Sequence, residues 1–196
     1  MVLFDVGGVL IELSGLSMLL SWLENRMTVE QVYTYWLTSP CVRAFETGKI
    51  EADVFADQLI ADLKLPVIKS ELLREFAGWG QQVLPGAIEL AQRIPSGYLR
   101  ATLCNTNAVQ WPNVMNHDGL MSSFDHHFAS HLTGKIKPDE EAFEHVLTTL
   151  QCKASETVFV DDSRLNVDAA KRVGMRAFRV KGPAEAEQVL IEAGIL

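Results

Sequence analysis

No apolar run in this chain approaches the roughly 20 consecutive residues needed to span a bilayer, and the opening stretch from Met1 to Phe4 is too short for the core of a secretion signal. Cysteine is scarce. Cys41, Cys104 and Cys152 are odd in number and lack metal-ligand spacing, which argues against a disulfide framework and fits a reducing compartment. A basic excess is missing as well: 17 Lys and Arg against 25 Asp and Glu leave a net charge of -8, with no broad cationic surface for nucleic acid or anionic lipid. The five histidines, His117, His126, His127, His131 and His145, fall into no ligand pattern, and adjacent His126 and His127 would point to opposite faces of a strand. Internal repeats and low-complexity tracts are absent. The expectation is a cytoplasmic protein with a small-molecule partner, no membrane or nucleic-acid partner, and an oligomeric state that the sequence leaves open.

What is present is enough apolar residue, 48% of 196, to bury one sizeable core with a small module beside it. Three short apolar runs end in polar groups: Met1 to Phe4 runs into Asp5, Leu99 to Cys104 into Asn105-Thr106-Asn107, and Thr157 to Val160 into Asp161-Asp162-Ser163. Such runs suit buried parallel strands. Weaker strands are expected at 124–130 and 176–180, and helical periodicity at 86–94, 139–150, 164–173 and 184–192. Strand and helix therefore alternate through the second half, which predicts an α/β fold, a doubly wound parallel sheet with helices on both faces. In such sheets ligands collect beyond the carboxyl ends of the strands, where the polar groups fall.

Between the first strand and Pro85 no period-2 run stands out, and 52–63 and 69–77 read as amphipathic helices. Residues 14–84 are thus expected to form a helical insertion. Its Trp22, Tyr33, Tyr35, Trp36 and Trp79 either fill the module's own core, the usual fate of aromatics, or line a pocket. Trp111, beyond the second polar cluster, faces the same choice.

A carboxylate at a strand end, followed by glycines that let backbone approach a ligand, suits a nucleophile or a metal ligand; the plainer reading is a turn or cap. Asp5, followed by Gly7 and Gly8, has that form. Asp161 and Asp162 are adjacent acids at another strand end, and buried like charges repel unless a cation or a proton relieves them. Magnesium, which favours a few carboxylates, a carbonyl and waters, would relieve them. Lys137 precedes Pro138, expected at the first position of a helix whose opening turn holds Asp139, Glu140 and Glu141, so its ammonium can reach back towards the strand ends.

Taken in order, Phe4-Asp5-Val6-Gly7-Gly8-Val9-Leu10-Ile11, Leu103-Cys104-Asn105-Thr106-Asn107, Lys137-Pro138-Asp139, and Val158 to Ser163 with Asn166 resemble the four motifs of haloacid-dehalogenase-like phosphatases. Phe45 to Ile50 is similar to a cap segment of members that act on small sugar phosphates. The resemblance covers almost the whole chain. It implies a Rossmann-like core from 1–13 and 85–196, a helical cap over 14–84, and Mg²⁺-dependent hydrolysis of a small organic phosphate monoester. In that scheme Asp5 attacks phosphorus to form an aspartyl-phosphate, with Lys137 clamping nucleophile and phosphate. Asp5, Asp162 and the carbonyl of Gly7 hold the metal, with Asp161 as a ligand or supporting acid. Cys104 and the backbone amide of Asn105 hold the phosphoryl oxygens.

Two positions depart from the family pattern. Gly7 stands where most of these phosphatases carry the Asp that protonates the leaving group, a function that typically contributes about 10²–10⁴-fold. Cys104 stands where Ser or Thr is expected, and a thiol is the weaker donor. Thr106 can take its place, and proximity to Lys137 raises a further alternative, an ionised and oxidisable Cys104. Beside the phosphatase stand a metal-independent dehalogenase, disfavoured by the acid pair, and a non-catalytic relative that binds a phosphorylated ligand or a protein.

Overall fold

The computed structural model describes residues 1–80 and 82–196. Five strands, β1 (Val2–Phe4), β2 (Arg100–Cys104), β3 (His126–Ala129), β4 (Val158–Asp161) and β5 (Arg176–Arg179), form one parallel sheet in the order β3-β2-β1-β4-β5. Register places Leu3 opposite Ala101 on one side and Phe159 on the other, so β1 lies at the centre.

Between β1 and β2 run α1 (Gly15–Leu23), α2 (Val29–Thr38), α3 (Pro40–Glu46), α4 (Ala52–Leu63), α5 (Lys69–Ala77) and α6 (Ala87–Arg93). The later crossovers carry α7 (Trp111–Met115), α8 (Asp118–Met121), α9 (Ser130–Thr133), α10 (Glu140–Leu150) and α11 (Arg164–Arg172), and α12 (Gly182–Glu192) ends the fold. Alternation along each strand divides the core between the two sheet faces. Val2, Phe4, Val158 and Val160 pack with α6, α8 and α12, whereas Leu3, Leu103 and Phe159 pack with α10 and α11. Both faces are covered, which is why these strands read as continuous apolar runs.

Helices α1 to α5 surround a separate cluster of Leu19, Leu23, Val42, Phe45, Phe55, Leu59, Leu72 and Phe76. Local signals set their ends: Thr28 and Gln31 form a capping box on α2, and Ser39 caps α3, which starts at Pro40. Trp36 packs against Phe55, Phe76 and Trp79 with ring centroids 5.9–6.4 Å apart, so it fills this core. The chain leaves and re-enters the sheet region side by side: Leu84 N donates to Leu10 O at 2.9 Å and Glu12 N to Gln82 O at 2.8 Å.

Two sequence expectations need correction. The strand expected at 124–130 is confined to His126–Ala129, because Phe124 belongs to the preceding turn and sets its ring edge-on to Phe4 at 5.6 Å, while Ser130 already opens α9. Pro138 is not the first residue of a helix. Asp139 is the N-cap of α10, and Pro138 precedes it after a cis peptide bond with Lys137.

Candidate active site

Because β2, β1 and β4 are neighbours in a parallel sheet, their carboxyl ends bring Asn105, Asp5 and Asp161 to one edge of it. The loop before α10 adds Lys137. Its ammonium, with a side chain only 1% exposed, donates to Asp5 Oδ1 at 2.7 Å and to Asp161 Oδ2 at 2.8 Å. A second arrangement holds the lysine in place, one that the sequence did not suggest. The Asn105 side chain donates to Lys137 O at 2.9 Å and accepts from Lys137 N at 3.0 Å, fixing both polar groups of its backbone.

Asp161 is wholly buried and committed to its neighbours: Oδ1 accepts from Ser163 N at 2.8 Å, and Asn166 Nδ2 lies 3.0 Å from both oxygens. Asp162 is less buried, and its backbone carbonyl accepts from Arg179 Nε at 2.8 Å. Asp5, Asp161 and Asp162 each offer an oxygen within 4.8 Å of the others. Among the described residues this is the one His, Cys, Asp and Glu group so arranged; the histidines are not gathered.

Three carboxylates here face one ammonium. Burial, reinforced by Asp161, pushes the Asp5 carboxyl up to about 8 despite the pull of Lys137. Burial first and Asp161 second also raise Asp162. Burial works to lower Lys137, but Asp161 and Asp5 together outweigh it and hold the ammonium above its ordinary value. An all-oxygen set whose acids resist ionisation is the environment that a hard divalent cation stabilises. The residues present therefore fit Mg²⁺, with Asp5 and Asp162 the freer carboxylates.

The glycine pair makes that geometry possible. Gly8 has φ +74, and a Cβ on it would stand 2.6 Å from Asp162 Oδ2, so the loop can approach the acid only without a side chain. At Gly7 a Cβ would lie 2.8 Å from Leu13 Cδ2, the tip of a half-exposed side chain that can turn aside.

Cys104 is buried at the end of β2, and its thiol contacts its neighbour's carbonyl, Asn105 O, at 3.6 Å. Burial, then Asp5, raises it far above the ordinary thiol range. The ionised-thiol alternative is corrected accordingly: desolvation and nearby carboxylates outweigh Lys137. Thr106 is buried beside it, its backbone amide donating to Ser130 Oγ at 2.9 Å. Trp111 packs edge-on to His127 and His131 at 6.4 and 6.1 Å, the packing alternative for that ring.

The helical layer meets this edge through α3. Arg43 Nη2 pairs with Asp139 Oδ2 at 2.6 Å, two residues beyond Lys137. Gly48, at φ +70, lies so close to α9 that a Cβ would stand 2.5 Å from His131 O. Glu46, between these two contacts, is buried and accepts from Trp36 Nε1 at 2.9 Å. Half-exposed Tyr33 of α2 lies within electrostatic reach of Asp162. Arg43 had no legible role in the sequence, Glu46 only its place in the Phe45–Ile50 resemblance, and Tyr33 only the choice between core and pocket, because nothing in a helical pattern tells which residues face another layer. Gly48→Ala should destabilise the protein by about 1–3 kcal/mol, since it meets both an unfavourable φ and a backbone atom that cannot move aside. Urea denaturation measures this, and an unchanged midpoint would rule out the tight docking.

A family model described as haloacid dehalogenase-like hydrolase matches residues 1–174. Sesquiterpene phosphatase astK of Aspergillus oryzae is 32% identical over 176 residues, covering 88% of this chain and 85% of the relative. D-ribitol-5-phosphate phosphatase of Bacteroides thetaiotaomicron is 22% identical over 196 residues, covering 96% and 95%. Among solved structures, a Bacteroides thetaiotaomicron enzyme of the same superfamily, in complex with magnesium and inorganic phosphate, superposes with a TM-score of 0.73 at 22% identity over 92% of this chain and 93% of that one.

Proposed function

The chain belongs to the haloacid dehalogenase-like hydrolases, and from that premise we propose that it is a Mg²⁺-dependent phosphatase acting on a small organic phosphate monoester, of the sugar-phosphate type, through an aspartyl-phosphate on Asp5. The observation that carries this reading is the buried contact of Lys137 with both Asp5 and Asp161, beside a third carboxylate on Asp162. Phosphatase relatives of near-full length support the same reaction class.

In this reading Asp5 Oδ2, the oxygen that Lys137 does not hold, attacks phosphorus. Lys137 keeps the nucleophile oriented and neutralises a phosphoryl oxygen. Asn105 fixes the lysine's backbone, and Asp161 with Asn166 fixes its head. Asp5, Asp162 and the Gly7 carbonyl would hold Mg²⁺, with Asp161 as a supporting acid because its oxygens are already engaged. Bound there, the cation would neutralise charge building on the transferred phosphoryl group. Cys104, a neutral thiol, and the Asn105 amide border the phosphoryl oxygens. Residues 14–84 act as a cap that excludes water and selects the leaving group, docked through Arg43 and Gly48 to the core of 1–13 and 85–196.

Hydrolysis of para-nitrophenyl phosphate tests the reading. Turnover is expected with Mg²⁺ and is lost on adding EDTA. Turnover indifferent to metal would count against the Asp5–Asp162 cation site. A companion measurement does not depend on catalysis: Mg²⁺ at about 100 times its dissociation constant should raise Tm by about 5–10 °C, and no shift at any concentration would refute the site.

A further inference from the structure

Gly7 leaves the proposed reaction without its usual proton donor, and an alkoxide is a poor leaving group without one. Position 7 carries no side chain, so a replacement acid has to come from another element. We infer that Glu46 of α3 is that acid, a catalytic residue that protonates the leaving-group oxygen and then activates the water. The inference rests on the phosphatase reading above.

Three features of the structure support it. Glu46 ends α3 between the two contacts that dock this helix on the core, Arg43 with Asp139 and Gly48 against His131, so the residue sits where the helical layer meets the core. It is only 7% exposed. Its two oxygens are also differentiated: Oε1 accepts from Trp36 Nε1 at 2.9 Å, while Oε2 makes no hydrogen bond among the described residues. An oxygen already accepting an indole N–H acts as the carbonyl, which leaves a proton on Oε2, free to be donated.

The surroundings favour a neutral acid near neutral pH. Burial pushes the Glu46 carboxyl up to about 7, against the opposing pull of Trp36 from α2, Arg43 from its own helix and Lys137 from the core. The Cys104 thiol, at the end of β2, feels the Glu46 charge too. The carboxyl therefore lies within electrostatic reach of the strand end and the lysine that border the phosphoryl group.

The chemistry balances. As the bond from Asp5 to phosphorus forms and that to the leaving oxygen breaks, the Oε2 proton passes to this oxygen and an alcohol departs. The resulting Glu46 carboxylate takes a proton from water as the water oxygen bonds phosphorus and the aspartyl bond breaks. Asp5, phosphate and neutral Glu46 are regenerated.

The test compares wild type, Glu46→Gln and Asp5→Asn on para-nitrophenyl phosphate and propyl phosphate, with alcohol release followed in the first turnover. Gln keeps an oxygen acceptor for Trp36 but has no acidic proton. It should slow the first-turnover release of propanol by about 10²-fold or more and leave the first-turnover release of nitrophenolate within about 5-fold, because the aryl oxide needs no acid. In wild type, propanol release relative to nitrophenolate release should fall as pH rises through about 7, where Glu46 loses its proton, because ionisation of Asp5 acts on both substrates alike. This second readout needs no variant to fold. Equal slowing of both substrates by Glu46→Gln, unaltered propanol release, or a wild-type ratio of alkyl to aryl release that is flat from pH 6 to 8 would each overturn the role of Glu46. If wild type releases neither alcohol faster than Asp5→Asn, the phosphatase reading itself falls, and Glu46 with it.

Discussion

Asp5→Asn is expected to lower phosphatase turnover by about 10³-fold or more with no loss of fold. The amide retains the shape of the carboxylate but cannot attack phosphorus, so the aspartyl-phosphate never forms. Stability should not fall with it. A group whose folded-state value is raised, as Asp5 is to about 8 from 3.8, costs the folded protein stability once pH exceeds the lower figure, and the cost grows until the upper one. A neutral Asn at that position avoids the cost, so at pH 7 without metal the variant should melt no lower than wild type. Turnover within 10-fold of wild type would remove Asp5 from the mechanism, and a large drop in Tm would mean that the lost turnover reports unfolding.

Lys137→Met should produce the largest loss of stability. It leaves Asp5 and Asp161 as buried acids without the cation that both contact, at 2.7 and 2.8 Å. Removing one partner of a buried ion pair costs about 3–5 kcal/mol, or about 10 °C in Tm for a chain of this length. Asp5 can escape part of the penalty by taking up a proton. Without the pull of Lys137 the variant keeps that proton further up the pH scale, so the loss should be smaller at pH 5.5, where both proteins hold it, and larger at pH 8, where wild type has begun to exchange it for an ion pair that the variant lacks. Saturating Mg²⁺ should recover part of the stability but not the turnover, because the metal neutralises the acids without replacing the clamp. Differential scanning fluorimetry at the two pH values, with and without metal, measures all of this. A variant as stable as wild type in EDTA would show that the lysine does not hold the cluster together.

The sheet was legible because parallel strands covered on both faces must be apolar throughout, and Leu3, Ala101 and Phe159 obey that rule in sequence as in space. The helices at 52–63 and 69–77 were legible from periodicity alone and have those bounds, Ala52–Leu63 and Lys69–Ala77. Pro138 was misread, since a proline before a helix suits two adjacent positions and only the backbone path distinguishes them. The four charged candidates, Asp5, Lys137, Asp161 and Asp162, do come together, but the resemblance left Asp161 open between ligand and supporting acid, and in the structure its oxygens are spent on Lys137, Ser163 and Asn166. Asn105 was assigned through its backbone amide, whereas its side chain turns out to grip the Lys137 backbone.

The parallel α/β core, the helical segment between its first two strands, and the set of polar residues that strand ends must present were all readable along the chain. These follow from local periodicity and from the chain order of the motifs, and they needed no knowledge of contacts. The wiring of that set came from the tertiary structure: which acids Lys137 contacts, that Gly8 lets the loop close on Asp162, that Cys104 stays a neutral thiol, and that Glu46 is buried against Trp36. The reason is physical. Burial and the distances between charges far apart in the chain fix protonation and hydrogen bonding, and no local pattern carries either quantity.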